Sequence, residues 1–238
     1  MAGRPRAAAR RGLLIAFAAF GTLRPAFAAP ASSLPAGFVD VAEIVPGVRI
    51  DLRYAGSHNF VGAPVDGYVR PRAILSRPAA AALAKAQEEL RPFGLGIEIF
   101  DAYRPQRAVD RFVRWSRDPA DQRGKAEFYP RVDKARLFPL GYIAEKSGHT
   151  RGSTVDLTLV GLGAGSAGAE LDMGSAYDLF DPISRPDSPD VPAPARAHRL
   201  LLREAMAKAG FRPYAEEWWH FTLEGEPFPE TYFDFPVE

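Results

Sequence analysis

The chain has no cysteine. No disulfide can brace it, and neither a thiolate ligand nor a cysteine nucleophile is available. Any metal must therefore be held by histidine, aspartate and glutamate. A lipid-anchored lipoprotein is excluded as well, because no cysteine stands after a signal segment. Histidine is scarce: His58, His149, His198 and His220 are the four. Long apolar runs are missing. Gly12 to Leu23, "GLLIAFAAFGTL", is well short of the ~20 residues that span a bilayer, and no later segment is apolar enough to span. Nothing in the charge pattern marks a nucleic-acid partner, which would call for a clustered basic face. No repeat is present.

The apolar run has a use of its own. Arg4, Arg6, Arg10 and Arg11 precede it, and Ala26-Phe27-Ala28 comes after it with a small-x-small pattern. This predicts a secretory signal peptide over residues 1–28, cleaved after Ala28. The Arg10-Arg11 pair also fits a twin-arginine route. The expected location is outside the cytoplasm, periplasmic or secreted, with no membrane anchor after cleavage. The first 28 residues hold five of the 30 basic residues and none of the 29 acidic ones, so their removal leaves 25 against 29, a net charge of −4.

The mature chain is long enough for one core. Residues 29–47 read as an N-terminal leader and 48–238 as the folded domain. With 22 prolines and 21 glycines, turns and loops should be frequent. "VRIDLRY" (Val48 to Tyr54), "LGIEIFDAY" (Leu95 to Tyr103), "STVDLTLVG" (Ser153 to Gly161) and "WWHFTL" (Trp218 to Leu223) read as strands. Pro78 to Leu90, Pro105 to Ser116 and Arg196 to Ala209 read as helices, the last with Gly210 as its C′ residue. Helices and strands mix without βαβ regularity. The expected fold is α+β, a single domain with a mainly antiparallel central sheet flanked by helices.

One constellation carries chemistry. In "SGHTRGSTVD" (Ser147 to Asp156), His149 sits on a loop and Asp156 on the polar face of the next strand, with Gly152 allowing a sharp turn between them. With His220 from the last strand, the set His149, Asp156, His220 suits a three-ligand catalytic zinc site whose fourth position is left for water. Glu217 lies three residues before His220. In a regular strand that spacing points to opposite faces, so a bend or bulge must intervene for the two to cooperate. Given that bend, Glu217 is a candidate base beside the metal. Taken singly, each piece has an ordinary structural reading: a loop contact, a core aromatic pair.

"SGHTRGSTVDLTL" followed by "EEWWHFTL" resembles the zinc D-alanyl-D-alanine dipeptidases of the VanX type. "DLRYAGSHNFVGAPVDGY", "DAYRPQRAV", "GYIAEKSGHTRGSTVDLTL", "DMGSAYDLFD" and "EEWWHFTLEGEPFPETYFDFPV" are similar to family segments in the same order, from about Val48 to the C-terminus. The resemblance implies one Zn2+ per chain on His149, Asp156 and His220, with Glu217 as general base and acid. It implies that Arg104 stabilises the tetrahedral intermediate, and that Tyr54, Tyr68, Ser147 and Asp178 line the dipeptide pocket. It further implies hydrolysis of D-Ala-D-Ala, with Asp178 as candidate for the substrate ammonium and Asp172 or Asp181 as alternatives. Trp218 and Trp219 are expected to wall the site and pack the sheet. His58 and His198 have no motif role.

Two features complicate the picture. An exported enzyme cannot reach a cytoplasmic dipeptide pool, so the expected role is trimming of dipeptides from wall turnover or uptake. The loops Gly161 to Ala169 and Asp181 to Ala195 flank Asp178 in sequence and are expected to shape access. The alternatives are a zinc D,D- or L,D-carboxypeptidase or endopeptidase on peptidoglycan stems, and a non-catalytic zinc-stabilised module that binds wall peptides. A serine hydrolase has little support, since neither Ser147 nor Ser153 lies in a nucleophile elbow.

Overall fold

Two sheets organise the computed structural model, which describes Met1, Gly3 and residues 34–238. The expected signal peptide otherwise lies outside the described residues. A small antiparallel pair joins β1 (Phe38–Asp40) to β3 (Ile74–Ser76). Between them run a short helix α1 (Val41–Ile44) and the short strand β2 (Arg49–Ile50). After β3 come α2 (Arg77–Leu90), β4 (Leu95–Asp101), α3 (Gln106–Ser116), α4 (Lys125–Phe128), β5 (Thr154–Gly161), α5 (Ala193–Lys208), β6 (Phe211–Pro213) and β7 (His220–Leu223). The main sheet has the order β2–β4–β5–β7–β6. Only its β2–β4 pairing is parallel among the described strands. This is the α+β architecture expected.

The core explains the register. β5 lies mid-sheet and is buried along its whole length. Val155, Leu157 and Leu159 have no exposed surface, and burying each such side chain is worth roughly 1.5–3 kcal/mol. A slip of one residue would exchange this apolar face for Thr154, Asp156 and Thr158, so the register is strongly fixed. It sets Asp156 opposite His220 on β7 and opposite Asp101 on β4. The β4–β5 register shifts between Ile99 and Asp101. That bulge brings Asp101 round to the polar face that carries Asp156.

The helices obey their punctuation. Ser76 caps α2 by accepting from Ala79 N–H, and Pro78 sits in its first turn. α5 begins at Ala193, inside the stretch expected to be a Pro-rich loop, because Pro194 falls in its first turn, where a missing N–H costs nothing. α3 takes help from the far end of the chain. Gln106 N–H donates to Phe233 carbonyl and Arg107 N–H to the Asp234 carboxylate, which satisfies N–H groups a helix start leaves free.

Three boundaries differ from the sequence reading. The segment 38–45 is no leader: β1 pairs with β3, and Phe38, Val39, Val41 and Val45 are buried. "VRIDLRY" pairs only at Arg49–Ile50 and then turns through a 3-10 helix at Arg53–Ala55, which buries Tyr54. The final strand starts at His220, since Trp218 and Trp219 form a turn. No helix among the described residues is long and apolar enough to cross a membrane.

Candidate metal centre and active site

Each member of the His-Asp-His set is held by a different device. Ser147 caps the 3-10 turn Gly148–Arg151 by accepting from His149 N–H at 3.3 Å. Gly152 closes that turn at φ 79°, and any Cβ there would strike the Phe38 ring. His149 is fully buried, and its Nδ1 lies 2.7 Å from the Ala102 carbonyl. A carbonyl can only accept, so Nδ1 carries a proton, and in the neutral ring Nε2 is the nitrogen that offers a lone pair. Asp156 comes from β5 and His220 from the first position of β7.

The three atoms form a small triangle. His149 Nε2 is 3.2 Å from Asp156 Oδ1, His220 Nδ1 is 3.1 Å from Asp156 Oδ1, and the two nitrogens are 3.3 Å apart. Ligands ~2.0–2.1 Å from a tetrahedral zinc stand ~3.3 Å from one another. Asp156 Oδ1 is buried and receives no hydrogen bond from the described residues. Such an acceptor facing two imidazole nitrogens is what a cation would satisfy. Burial pulls His220 down, toward the neutral form that ligates. His149, Asp156 and His220 can thus hold a metal ion.

Glu217 stands beside this triangle. The required bend exists as the Trp218-Trp219 turn, and Glu217 Oε2 reaches to 3.5 Å from His220 Nδ1. Burial, reinforced by Asp156 and Asp178, raises its carboxyl well above the ordinary value. Arg104 donates through Nε to Asp101 Oδ2 at 2.8 Å, and its Nη2 lies 3.5 Å from Asp156 Oδ2. Its guanidinium rests over the rings of Tyr54 and Phe112, at 5.0 and 5.1 Å. Burial opposes the charge, but Asp101 and its other neighbours keep Arg104 cationic.

Asp178 closes the set. It is the one non-glycine residue with positive φ among those described, at 59°. Strained backbone of this kind often marks functional sites. Both its oxygens lie within hydrogen-bond reach of the Tyr54 hydroxyl, at 2.9 and 3.1 Å. Burial first, and then the charge of Asp156, push its carboxyl up to about 8.

A cavity of about 220 Å³ joins these groups, with Tyr54, Arg104, Ser147, Asp156, Asp178, Glu217 and His220 in its lining. Four expectations need correction. Tyr68 is not in the lining; its hydroxyl donates to Asp101 Oδ1 at 2.6 Å, behind Arg104. Neither Gly161 to Ala169 nor Asp181 to Ala195 contributes. The wall is instead built by the segment 141–148 and Tyr214. Trp218 and Trp219 do not wall the cavity either. Trp218 donates to Ser175 Oγ at 3.0 Å, and Trp219 packs edge-on against Tyr177. His58 and His198 lie apart, bonded to Glu127 and to the Asp172 carbonyl.

Sequence reasoning missed Asp101, Tyr177 and Tyr214. Asp101 takes Tyr68, Arg104 and, at 3.5 Å, His149 Nδ1 on one fully buried carboxylate. It opens the "DAYRPQR" motif, so the signal lay in plain sight. Tyr177 precedes Asp178 in "SAYDLFD" and donates to Asp156 Oδ2 at 3.1 Å. Nothing in sequence distinguished Tyr214.

The model of the M15 peptidase family, described as D-ala-D-ala dipeptidase, matches residues 35–238. The chain belongs to this family. As a member it is an enzyme, a peptidase. The D-alanyl-D-alanine dipeptidase of Streptomyces coelicolor is 51% identical over 200 residues, 84% of this chain and 98% of that protein. That of Enterococcus faecalis is 42% identical over 84% of this chain and 98% of its own length. A Zn(II) complex of the vancomycin-resistance D,D-pentapeptidase VanY overlaps 68% of this chain and 78% of its own. Its TM-score of 0.40 and 15% identity are too distant to build on.

Proposed function

We propose that this member of the family hydrolyses D-Ala-D-Ala to two D-alanines, outside the cytoplasm, with one Zn2+ on His149, Asp156 and His220. The observation that carries this reading is the triangle of three lone-pair atoms, 3.1 to 3.3 Å on a side, beside Glu217. Zinc bound there supplies Lewis-acid polarisation of a carbonyl and an acidified water.

The chain's own residues do the rest. Burial raises the proton affinity of Glu217, which suits it to accept a proton. It takes a proton from water in the cavity, and water's oxygen attacks the peptide carbonyl carbon. Charge then gathers on the carbonyl oxygen, and the guanidinium of Arg104 is pre-oriented by Asp101 to donate to it. Glu217 returns its proton to the leaving amine as the C–N bond breaks. Asp178 and Tyr54 receive the substrate ammonium at one end of the cavity. A cavity of about 220 Å³ falls below the ~300–1,000 Å³ of drug-sized pockets, which favours a dipeptide over a long stem.

The test is D-alanine release from D-Ala-D-Ala by the purified chain from Ala29 onward with zinc, beside Glu217→Ala. Rapid release by the parent and near-total loss in the variant support the reading. An intact dipeptide with cleavage of a pentapeptide stem moves the substrate to wall precursors. For the location, N-terminal sequencing of the protein from fractionated cells should find a start at Ala29 outside the cytoplasm. An intact start in the cytosol overturns that part.

A further inference from the structure

Three contacts in a row link Asp178 to Asp156. The Tyr54 hydroxyl reaches Asp178 at 2.9 Å, the Tyr177 hydroxyl reaches that of Tyr54 at 3.2 Å, and the Tyr177 hydroxyl reaches Asp156 Oδ2 at 3.1 Å. All four residues are buried. Each phenol carries one proton. Two phenols therefore fill only two of the three contacts.

Among these four residues, the third proton is one that Asp178 can carry. With Asp178 neutral, the chain runs one way: Asp178 donates to Tyr54, Tyr54 to Tyr177, and Tyr177 to Asp156. With Asp178 ionised, Tyr54 turns its proton to Asp178, and Tyr177 loses the bond it had accepted. In both arrangements the proton of Tyr177 stays on Asp156 Oδ2, which leaves Oδ1 for the metal centre. The ring is held for this task, 4.7 Å from Phe100 and 5.3 Å from Trp219 between centroids.

We propose that Tyr177 is a positioning residue that holds Asp156 in its ligand orientation and, through Tyr54, reports to it whether the amine-recognising end of the cavity is filled. This rests on the reading of Asp156 as a metal ligand and Asp178 as the ammonium partner. Burial favours neutral Asp178 in the empty cavity. An arriving ammonium favours the ionised form and reverses the Tyr54 hydroxyl. Bonds in such a chain strengthen one another, so the donor strength of Tyr177 toward Asp156 changes with the state of Asp178.

Zinc affinity, read by competition with a chelator, tests this without any substrate. Tyr177→Phe keeps the ring and removes the donor. It should weaken zinc binding by about 10–100-fold, the usual cost of losing a partner of a metal ligand, with the fold retained by circular dichroism. It should also alter the visible absorption of Co(II) bound in place of zinc. Tyr54→Phe, which does not touch Asp156, should weaken zinc by at least about twofold when Tyr177 is present and have no effect beside Tyr177→Phe. Parent-like zinc affinity in Tyr177→Phe overturns the inference and leaves the metal site standing. So does a Tyr54→Phe effect that is the same with and without Tyr177. A parent chain that takes up no zinc, or takes it up equally after His149→Ala, overturns both.

Discussion

The two ends of the cavity are built in different ways. At the metal end, Asp156 and His220 are cross-strand partners on β5 and β7, and Asp101 faces Asp156 from β4. Sheet register fixes their spacing. At the other end Asp178 sits on an irregular loop in a left-handed conformation. That loop is stapled from outside. Arg199 of α5 donates to the carbonyls of Met173, Ile183 and Arg185 and to Ser175 Oγ. It is 2% exposed, and burial draws its guanidinium down to about 10, so it stays charged at neutral pH. On the proposed function, chemistry would rest on the rigid end, and recognition on a loop that a few polar contacts hold in shape.

Substitutions at the two ends should therefore fail differently. The largest effect is expected at Glu217. Glu217→Ala should lower kcat by about 10²–10⁴-fold with zinc still bound, as steady-state kinetics and metal analysis will show. A loss carried by KM alone would contradict its place beside the metal. Next comes Arg199→Met, which strands the Met173 and Ile183 carbonyls and takes one of the donors from Arg185 and Ser175. It should cost about 2–4 kcal/mol in urea unfolding and raise KM more than it lowers kcat. An equal fall in zinc affinity would mean that the two ends are less separate than the geometry implies.

Asp178→Asn sharpens the comparison through pH. The folded-state value, about 8, stands above the ordinary 3.8. The native state therefore binds a proton the unfolded chain has lost, and that stability is full below about 4 and fades as pH rises through 8. Between pH 5 and pH 9 the metal-free parent should lose more stability than Asp178→Asn, by more than about 1 kcal/mol. Parallel slopes would place an ionised Asp178 in the empty cavity. The smallest effect is expected far from both ends. Lys208 and Glu89 pair at 3.2 Å with both side chains more than half exposed, and Lys208→Ala should shift stability by less than about 1 kcal/mol.

The same contrast explains what was legible in the sequence. Strand alternation located Asp156, and the offset between Glu217 and His220 demanded the bend that the Trp218-Trp219 turn supplies. Local patterns sufficed because sheet register converts sequence spacing into distance. Tyr68 was read as a pocket residue because its motif lies among pocket motifs. Its reach to Asp101 depends on a pairing between its loop and the C-terminal segment, where Tyr68 bridges Val237. The wall at 141–148 and Tyr214 was invisible for the same reason: no periodicity marks which irregular segment folds over a cavity. The 38–45 segment looked like a leader because β1 and α1 are only three and four residues long. Their burial depends on partners more than 30 residues away.

Both ends presuppose that His149, Asp156 and His220 converge to hold one metal ion. Equilibrium dialysis of the chelator-stripped chain against Zn(II), with metal counted per chain, tests that convergence most directly. One tightly held zinc is expected in the parent, and none at the same free concentration in either His149→Ala or His220→Ala, with the sheet intact by circular dichroism. Zinc retained at full stoichiometry in both variants would contradict it.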